Sequence, residues 1–417
     1  MFSAAQIDGG ATAWVLVSAA LVAFMTPGLA FFYGGMVRGK NVLGMLMQNF
    51  FAMGIITVLW ALVGFSLAFG GTGGFVGNFD YFAMKGLATL QELPGYTGDF
   101  GLVIPVLAFF GYQMMFAVIT PALITGATAD RLKFSAYAVI IAVWSVVVYP
   151  IVAHWVFSPN GWLFGRGALD FAGGAVVHIN AGAAALAIVL VLGNRRSWPR
   201  EAMPPHNLPF TMLGTGILWF GWFGFNAGSA LGANGLAAQA LVNTHLAAAA
   251  GMIAWLAIER SKTGHFTTLG AASGAVAGLV AITPCAGFVG GLSPLAIGAV
   301  AGIVCYLALR LKLRFNFDDS LDVIAVHLVG GIVGSILLGL FSDKAVNSLG
   351  ADGFFNGGGL KLLQEQFIAA AVVLAFSFVV TWVLAKALDA TIGLRVSPED
   401  ELAGLDQSQH SETAYQA

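Results

Sequence analysis

The sequence predicts an all-α polytopic membrane protein: eleven transmembrane helices, arranged as an inverted five-helix repeat plus one extra helix. Three observations carry that reading. Of the 417 residues, 58% are hydrophobic and only 9% are charged, too few charges to clothe a water-facing surface of that size. Apolar windows of about 20 residues, the length needed to cross a bilayer, recur along the whole chain. An acid and a histidine recur together in two apolar segments far apart in sequence, Asp170 with His178 and Asp322 with His327.

Taken in order, the apolar windows place spans at 12–34, 43–70, 102–127, 134–157, 173–193, 208–229, 235–258, 269–288, 293–311, 326–342 and 365–388. Met1 to Asp8 carries no basic residue and so lacks the n-region of a cleavable signal peptide, which makes the first run a retained span. The 55 glycines fit helices that pack closely where no hydrophobic effect drives them together. Fourteen of the 18 Lys and Arg residues fall in one alternating set of loops and the tail; only Lys85, Arg166, Lys344 and Lys361 fall in the other set. Basic residues stay on the cytoplasmic side, so the amino terminus is expected outside and the tail inside. An odd number of spans in the first half reverses the second, so spans 1–5 and 6–10 read as inverted repeats with span 11 added. His178 and His327 each fall near the last span of a half, where such symmetry brings them toward the membrane middle. Residues 1–388 are thus expected to form the transmembrane domain and 389–417 a cytoplasmic tail. From Gly393 the tail is polar and acidic, too poor in apolar residues for a core of its own, and is expected to be solvated or in contact with a partner.

Several function classes are excluded or weakened by composition. A net charge of -2 argues against a nucleic-acid partner. Cys285 and Cys305 lie in apolar segments and carry no disulfide or metal pattern. No nucleophile–base pair, metal cluster or phosphate loop is apparent, so neither an enzyme nor a cofactor is expected. The Gly70-Gly-Thr-Gly-Gly run lacks the strand–helix context of a phosphate site.

The motifs are more specific than the composition. Met25-Thr-Pro-Gly-Leu-Ala-Phe-Phe-Tyr-Gly-Gly-Met-Val-Arg38-Gly-Lys40-Asn, Phe116-Ala-Val-Ile-Thr-Pro-Ala-Leu, Asp170-Phe-Ala-Gly-Gly-Ala-Val-Val-His178-Ile-Asn-Ala-Gly, Gly221-Trp-Phe-Gly-Phe225-Asn-Ala-Gly-Ser229 and Asp322-Val-Ile-Ala-Val-His327 follow one another in order. With these five blocks the chain resembles the ammonium transporter (Amt/Mep/Rh) family, on its Amt branch, over nearly its whole length. The resemblance implies the ammonium-transporter fold, a homotrimer with one pore per subunit in the plasma or inner membrane, and a role in nitrogen uptake. It implies ammonium or its analogue methylammonium as substrate, and a PII-type signal protein as partner at the cytoplasmic mouth. It also implies an outer ammonium site of Phe116, Phe225 and Ser229. Phe157 stands where the family usually has tryptophan, a weaker cation–π face without an indole N–H. Phe116 and Phe225 resemble the stacked pair that closes the pore, with His178 and His327 beneath.

The chemistry of that site follows from the substrate. Ammonium is close to potassium in size, so sorting them takes a proton, which potassium cannot lose. Ring faces and a hydroxyl can hold a partly dehydrated cation, while a narrow apolar passage favours neutral ammonia. Two neutral imidazoles can share a hydrogen bond and still offer polar atoms to a molecule that both donates and accepts. Asp170 and Asp322 read as structural or electrostatic support, Asp170 as a helix cap. Ser229 can equally bond a carbonyl one turn back, and His154 and His245 read as packing groups. Two other classes compete: an ammonium sensor acting through a cytoplasmic partner, and a haem carrier with His178 and His327 as axial ligands.

Overall fold

The computed structural model describes residues 7–90 and 92–415; Met1 to Asp8, on which the expectation of a retained first span rests, falls mostly outside the described residues. Those residues form helices and loops with no strand among them. Ten helices are long and apolar enough to cross a bilayer: α1 (Gly9–Met36), α2 (Gly39–Phe69), α3 (Val106–Thr128), α4 (Phe134–Arg166), α5 (Gly174–Leu192), α6 (Leu208–Ala230), α7 (Gly235–Thr263), α9 (Ser293–Arg314), α10 (Ile324–Phe341) and α11 (Lys361–Thr391). The remaining segment, α8 (Thr268–Ile282), is a shorter apolar helix of 15 residues. The protein is therefore a multi-pass membrane protein.

Helix limits follow local chemistry. Asn207, Asn234 and Thr267 accept hydrogen bonds from Phe210, Ala237 and Gly270 N–H at 3.0, 3.0 and 2.8 Å, capping α6, α7 and α8. The eighth span stops at Ile282 rather than 288 because Thr283 precedes Pro284, whose ring disfavours helix before it and whose nitrogen has no N–H to donate. Pro105 likewise delays α3 to Val106. α4 breaks at 158–161 before a last turn, Trp162–Arg166.

The two halves meet along α1 with α6 and α5 with α10. In both places glycine sets the approach. A Cβ on Gly214 would lie 2.2 Å from the Phe32 nitrogen, and one on Gly182 would lie 2.6 Å from the Leu328 nitrogen. Only a residue without a side chain allows backbones that close.

After α11 the chain turns back over the body instead of extending into solvent. Short helices α12 (Pro398–Ala403) and α13 (Leu405–His410) lie against the first half. Gly44 N–H donates to Asp406 Oδ1 at 2.8 Å, Leu405 N–H donates to Asn41 Oδ1 at 2.8 Å, and Arg196 N–H donates to Glu401 Oε1 at 2.8 Å. The acidic residues that argue against a folded tail in the sequence are the groups that dock it.

Candidate functional site

Both histidines sit in the same local structure. Each half opens its last helix with a wide π turn, Gly174–Ile179 in α5 and Ile324–Val329 in α10, a form that recurs at functional sites because it redirects a side chain out of helical register. Four residues beyond each histidine stands a glycine. Gly182 admits Leu328, and a Cβ on Gly331 would lie 3.1 Å from His178 Cβ. The crossing brings His178 Nδ1 within 3.1 Å of His327 Nδ1, with ring centroids 5.2 Å apart and planes inclined by 21°. One imidazole donates and the other accepts across this contact. Axial ligation of one iron would separate the two nitrogens by about twice a metal–nitrogen bond of roughly 2 Å, so the pair as placed is not a haem site.

The chamber around them holds about 10 Å3, room for one water-sized molecule. Leu29, Phe32, Ile119, Val177, Trp222 and Phe225 are among its walls. Trp222 lies parallel to His178 at 5.5 Å and 20°, fixed by its indole N–H donating to Thr283 Oγ1 at 2.9 Å. His178 Nε2 is buried with no hydrogen-bond partner among the described residues. Apart from the two imidazoles the walls of the chamber are apolar or aromatic side chains.

Above the chamber the Phe116 and Phe225 rings close the way, centroids 4.3 Å apart, each about 1% exposed. Beyond Phe116 a cavity of about 410 Å3 opens, with Phe116, Phe157, Ser229 and Asp170 in its wall. We call this the aromatic mouth. Ser229 Oγ donates to Phe225 O at 3.0 Å and stands 3.1 Å from Tyr112 Oη. With its proton committed to that carbonyl, Ser229 can offer oxygen lone pairs to an N–H donor. Phe225 itself faces the histidine chamber and not the open cavity.

This order of mouth, ring pair and facing histidines is accompanied by similarity along the whole chain. Residues 13–415 match the model described as Ammonium Transporter Family. An "Ammonium transporter" of Mycobacterium tuberculosis (strain H37Rv) is 51% identical, over 98% of this chain and 90% of its own length. "Ammonium transporter Amt1" of Archaeoglobus fulgidus is 44% identical over 98% of this chain and 100% of its own. The chain belongs to the ammonium transporter family. The crystal structure of Candida albicans Mep2 matches with a TM-score of 0.88 and 35% identity, covering 95% of this chain and 88% of that one. A structure titled "Sensor Amt Protein" matches at 0.88 and 30%, covering 96% and 98%. The transporter is thus not an enzyme of a borrowed membrane fold.

A separate cavity of about 270 Å3 has Arg38, Asp130, Arg195, Glu201, Lys312 and Asp322 in its wall; we call it the charged mouth. Beside it Arg195 grips Asp318 through two side-chain nitrogens at 2.8 and 2.9 Å and Asp130 at 3.4 Å, while Arg38 holds Asp130 at 3.0 Å. Burial opposes the charge on Asp318, but the Arg195 hydrogen bonds and the Arg131 charge hold its carboxyl below the usual range.

One expected correspondence is corrected here. Asp170 caps α5 by accepting N–H bonds from Gly173, Gly174, Ala175 and Val176 at 2.8, 2.7, 2.8 and 3.1 Å. The residue that does this for α10 is Asp319, which accepts from Val323 and Ile324 at 3.1 and 2.6 Å. Asp322 instead pairs with Lys312 at 2.6 Å in the wall of the charged mouth. The spacing holds the signal, since Asp319 precedes His327 by the same interval as Asp170 precedes His178. Sequence reading also passes over Trp222 and Gln113, a cavity-lining residue whose Oε1 has no partner. His154 is buried with its ring nitrogens against the Ala68 and Gly73 carbonyls at 2.8 and 2.6 Å, a packing group; His245 is exposed beside Trp219.

Proposed function

We propose that the transporter recruits ammonium at the aromatic mouth, removes one proton there, and conducts ammonia past Phe116 and Phe225 and along His178 and His327 to the charged mouth. The aromatic mouth faces outside and the charged mouth, with the tail, faces the cytoplasm. Ring faces of Phe116 and Phe157 and the Ser229 oxygen stabilise the cation. Asp170, its oxygens occupied by four N–H donors, adds negative potential without offering a free base.

The observation that carries this reading is the histidine contact of 3.1 Å inside a chamber of about 10 Å3. Such a chamber offers a cation only imidazole nitrogens in place of its hydration shell, and a dehydrated charge in apolar surroundings is strongly disfavoured. A neutral molecule with N–H groups and a lone pair fits both the size and the polar atoms. The same family membership supports a homotrimer, and the tail docked beside the charged mouth offers a surface for a PII-type protein.

The test is charge movement on a solid-supported membrane carrying proteoliposomes. Ammonium and methylammonium pulses should give currents or internal alkalinisation, while potassium should give none, and His178→Ala should change rate or selectivity. Wild-type transport and potassium rejection in that variant would reduce the histidines to packing. A second reading, ammonium sensing through a cytoplasmic partner, rests on the similarity to the protein titled "Sensor Amt Protein". It expects ammonium binding without flux in the same liposomes.

A further inference from the structure

α11 follows the two five-helix halves, and near its start it carries Glu365 and Gln366. Gln366 is 1% exposed, and its amide forms a closed pair with the backbone of one residue. Oε1 accepts from Leu169 N–H at 2.7 Å, and Nε2 donates to Leu169 O at 2.8 Å. Nε2 also donates to Ser335 O on α10 at 3.4 Å. Beside it, Glu365 takes two hydrogen bonds from Arg166, at 2.8 and 3.0 Å.

The segment held in this way is a wall of the aromatic mouth. Ala168, Leu169, Asp170 and Phe171 all line that cavity, and residues 167–173, between α4 and the π turn of α5, lie in no helix. A stretch without its own ladder of backbone bonds takes its place from whatever grips it from outside. Leu169 is gripped by α11, and Phe171 N–H donates to Pro284 O at 3.1 Å. Asp170 lies between the two grips. Packing alone does not call for glutamine at position 366, since a buried amide is costly unless its bonds are made; an apolar side chain would fill the space and leave the Leu169 backbone groups without these partners.

We propose that Gln366 is a positioning residue for ammonium recruitment: from α11 it fixes the Leu169 backbone, and through it the place of the Asp170 carboxylate in the aromatic mouth. This rests on that mouth being where ammonium is recruited. Gln366 is not among the residues lining the mouth or the histidine chamber, so it acts on capture of the cation and not on passage of ammonia.

The test is ammonium current in proteoliposomes, over a range of concentrations and from acid to mildly alkaline pH, for wild type, Ser229→Ala, Gln366→Leu and Gln366→Glu. Gln366→Leu keeps most of the bulk and loses all three bonds. It should raise the half-saturating concentration about tenfold, the size of one hydrogen bond to a charged group, with maximal current less affected. A role in stability alone would instead lower maximal current, through fewer working copies, and leave half-saturation in place. Gln366→Glu separates the bonds from the bulk, and carries the test if the leucine variant fails to fold. Protonated, its carboxyl accepts and donates as the amide does; ionised, it can only accept, and it sets a negative charge against Leu169 O. Its half-saturation, taken as a ratio to wild type at each pH, should therefore fall toward one as pH is lowered. Arg166, Glu365 and Asp170 near the position are common to both proteins and cancel in the ratio. A ratio that does not change with pH, or half-saturation unmoved in Gln366→Leu while Ser229→Ala raises it, overturns the proposal and leaves recruitment at the mouth standing. Half-saturation unmoved in both Ser229→Ala and Gln366→Leu overturns the two together.

Discussion

At the aromatic mouth the wall holds ring faces, one serine hydroxyl and the carboxylates of Asp99 and Asp170, with no Lys or Arg among its lining residues. The charged mouth sets Arg38, Arg195 and Lys312 against Asp130, Glu201 and Asp322. A cation meets attraction at the first and a nearly balanced field at the second, which is the difference expected when charge is left behind at one end and a neutral molecule leaves at the other. The two mouths nevertheless share a plan, a carboxylate capping a histidine-bearing helix. Asp170 has four N–H donors and Asp319 has two. Burial first, and then the neighbouring Asp322, push the Asp319 carboxyl up to about 7. Equivalent positions in an inverted repeat thus differ in how firmly their charge is held.

The largest expected effect comes from removing the better-held cap. Asp170→Ala strands four N–H groups and Asp319→Ala strands two; at roughly 1–3 kcal/mol for each buried orphan, the first should cost about 4 kcal/mol or more and the second about half as much. Thermal unfolding midpoints of the two variants in one detergent give the order. Equal losses would mean that the four bonds to Asp170 add nothing over two.

A fixed charge between the mouths is the next way to break the asymmetry. His178→Asp, on the aromatic side of the chamber, and His327→Glu, on the charged side, should each draw water inward and let cations cross intact. Removing a barrier of about 2.5–3.5 kcal/mol for a charge at membrane depth allows a rise in potassium current of about tenfold or more. Potassium pulses on proteoliposomes read the effect, and absence of current in both variants would show that the rings of Phe116 and Phe225, and not the histidines, reject the ion.

Asp322→Asn sharpens the comparison through pH. In the wild type the folded Asp319 lies near 7, above the unfolded carboxylate value of about 4. The native state then keeps a proton that the unfolded chain has released, so stability is fullest below about pH 4 and falls as pH rises toward 7. The substitution would remove the like charge and leave Lys312 to favour ionised Asp319, lowering its folded value. The loss across pH 4–7 should shrink by roughly 1.4 kcal/mol for each unit of that lowering. Unfolding midpoints measured from pH 4 to 8 test it, and superimposable profiles would show that Asp322 does not act on Asp319.

Much of this architecture is legible in the sequence because lipid imposes simple rules. Length and composition locate each span, and the two histidines stand out where ionisable groups are disfavoured. The ends of spans are less legible: Pro284 and Pro105 cut two of them short by local geometry that hydropathy averages away. Asp322 draws the eye before Asp319 because it lies nearer His327 in sequence, whereas the cap is set by which carboxylate reaches the first free N–H groups of the π turn. The tail misleads for another reason. Its acids look solvated because their partners on the body, the N–H groups of Gly44 and Arg196, are brought to them only by the fold.

The smallest effect concerns the aromatic mouth alone. Phe157 lines that cavity, and its own carbonyl accepts a hydrogen bond from Tyr96 Oη at 3.1 Å, so the backbone that carries the ring is fixed whatever side chain it bears. Indole presents a larger negative face to a cation than benzene does, and the site is only partly desolvated, which limits the gain to about 1 kcal/mol. Phe157→Trp should therefore lower the half-saturating ammonium concentration up to about fivefold, by the same arithmetic, and leave the charged mouth and potassium rejection unchanged. Currents recorded over a range of ammonium concentrations give both quantities. An unchanged half-saturation in a correctly folded variant would place the cation against Phe116 and Ser229 alone, and a change in potassium rejection would mean that the aromatic mouth takes part in selection as well as in recruitment.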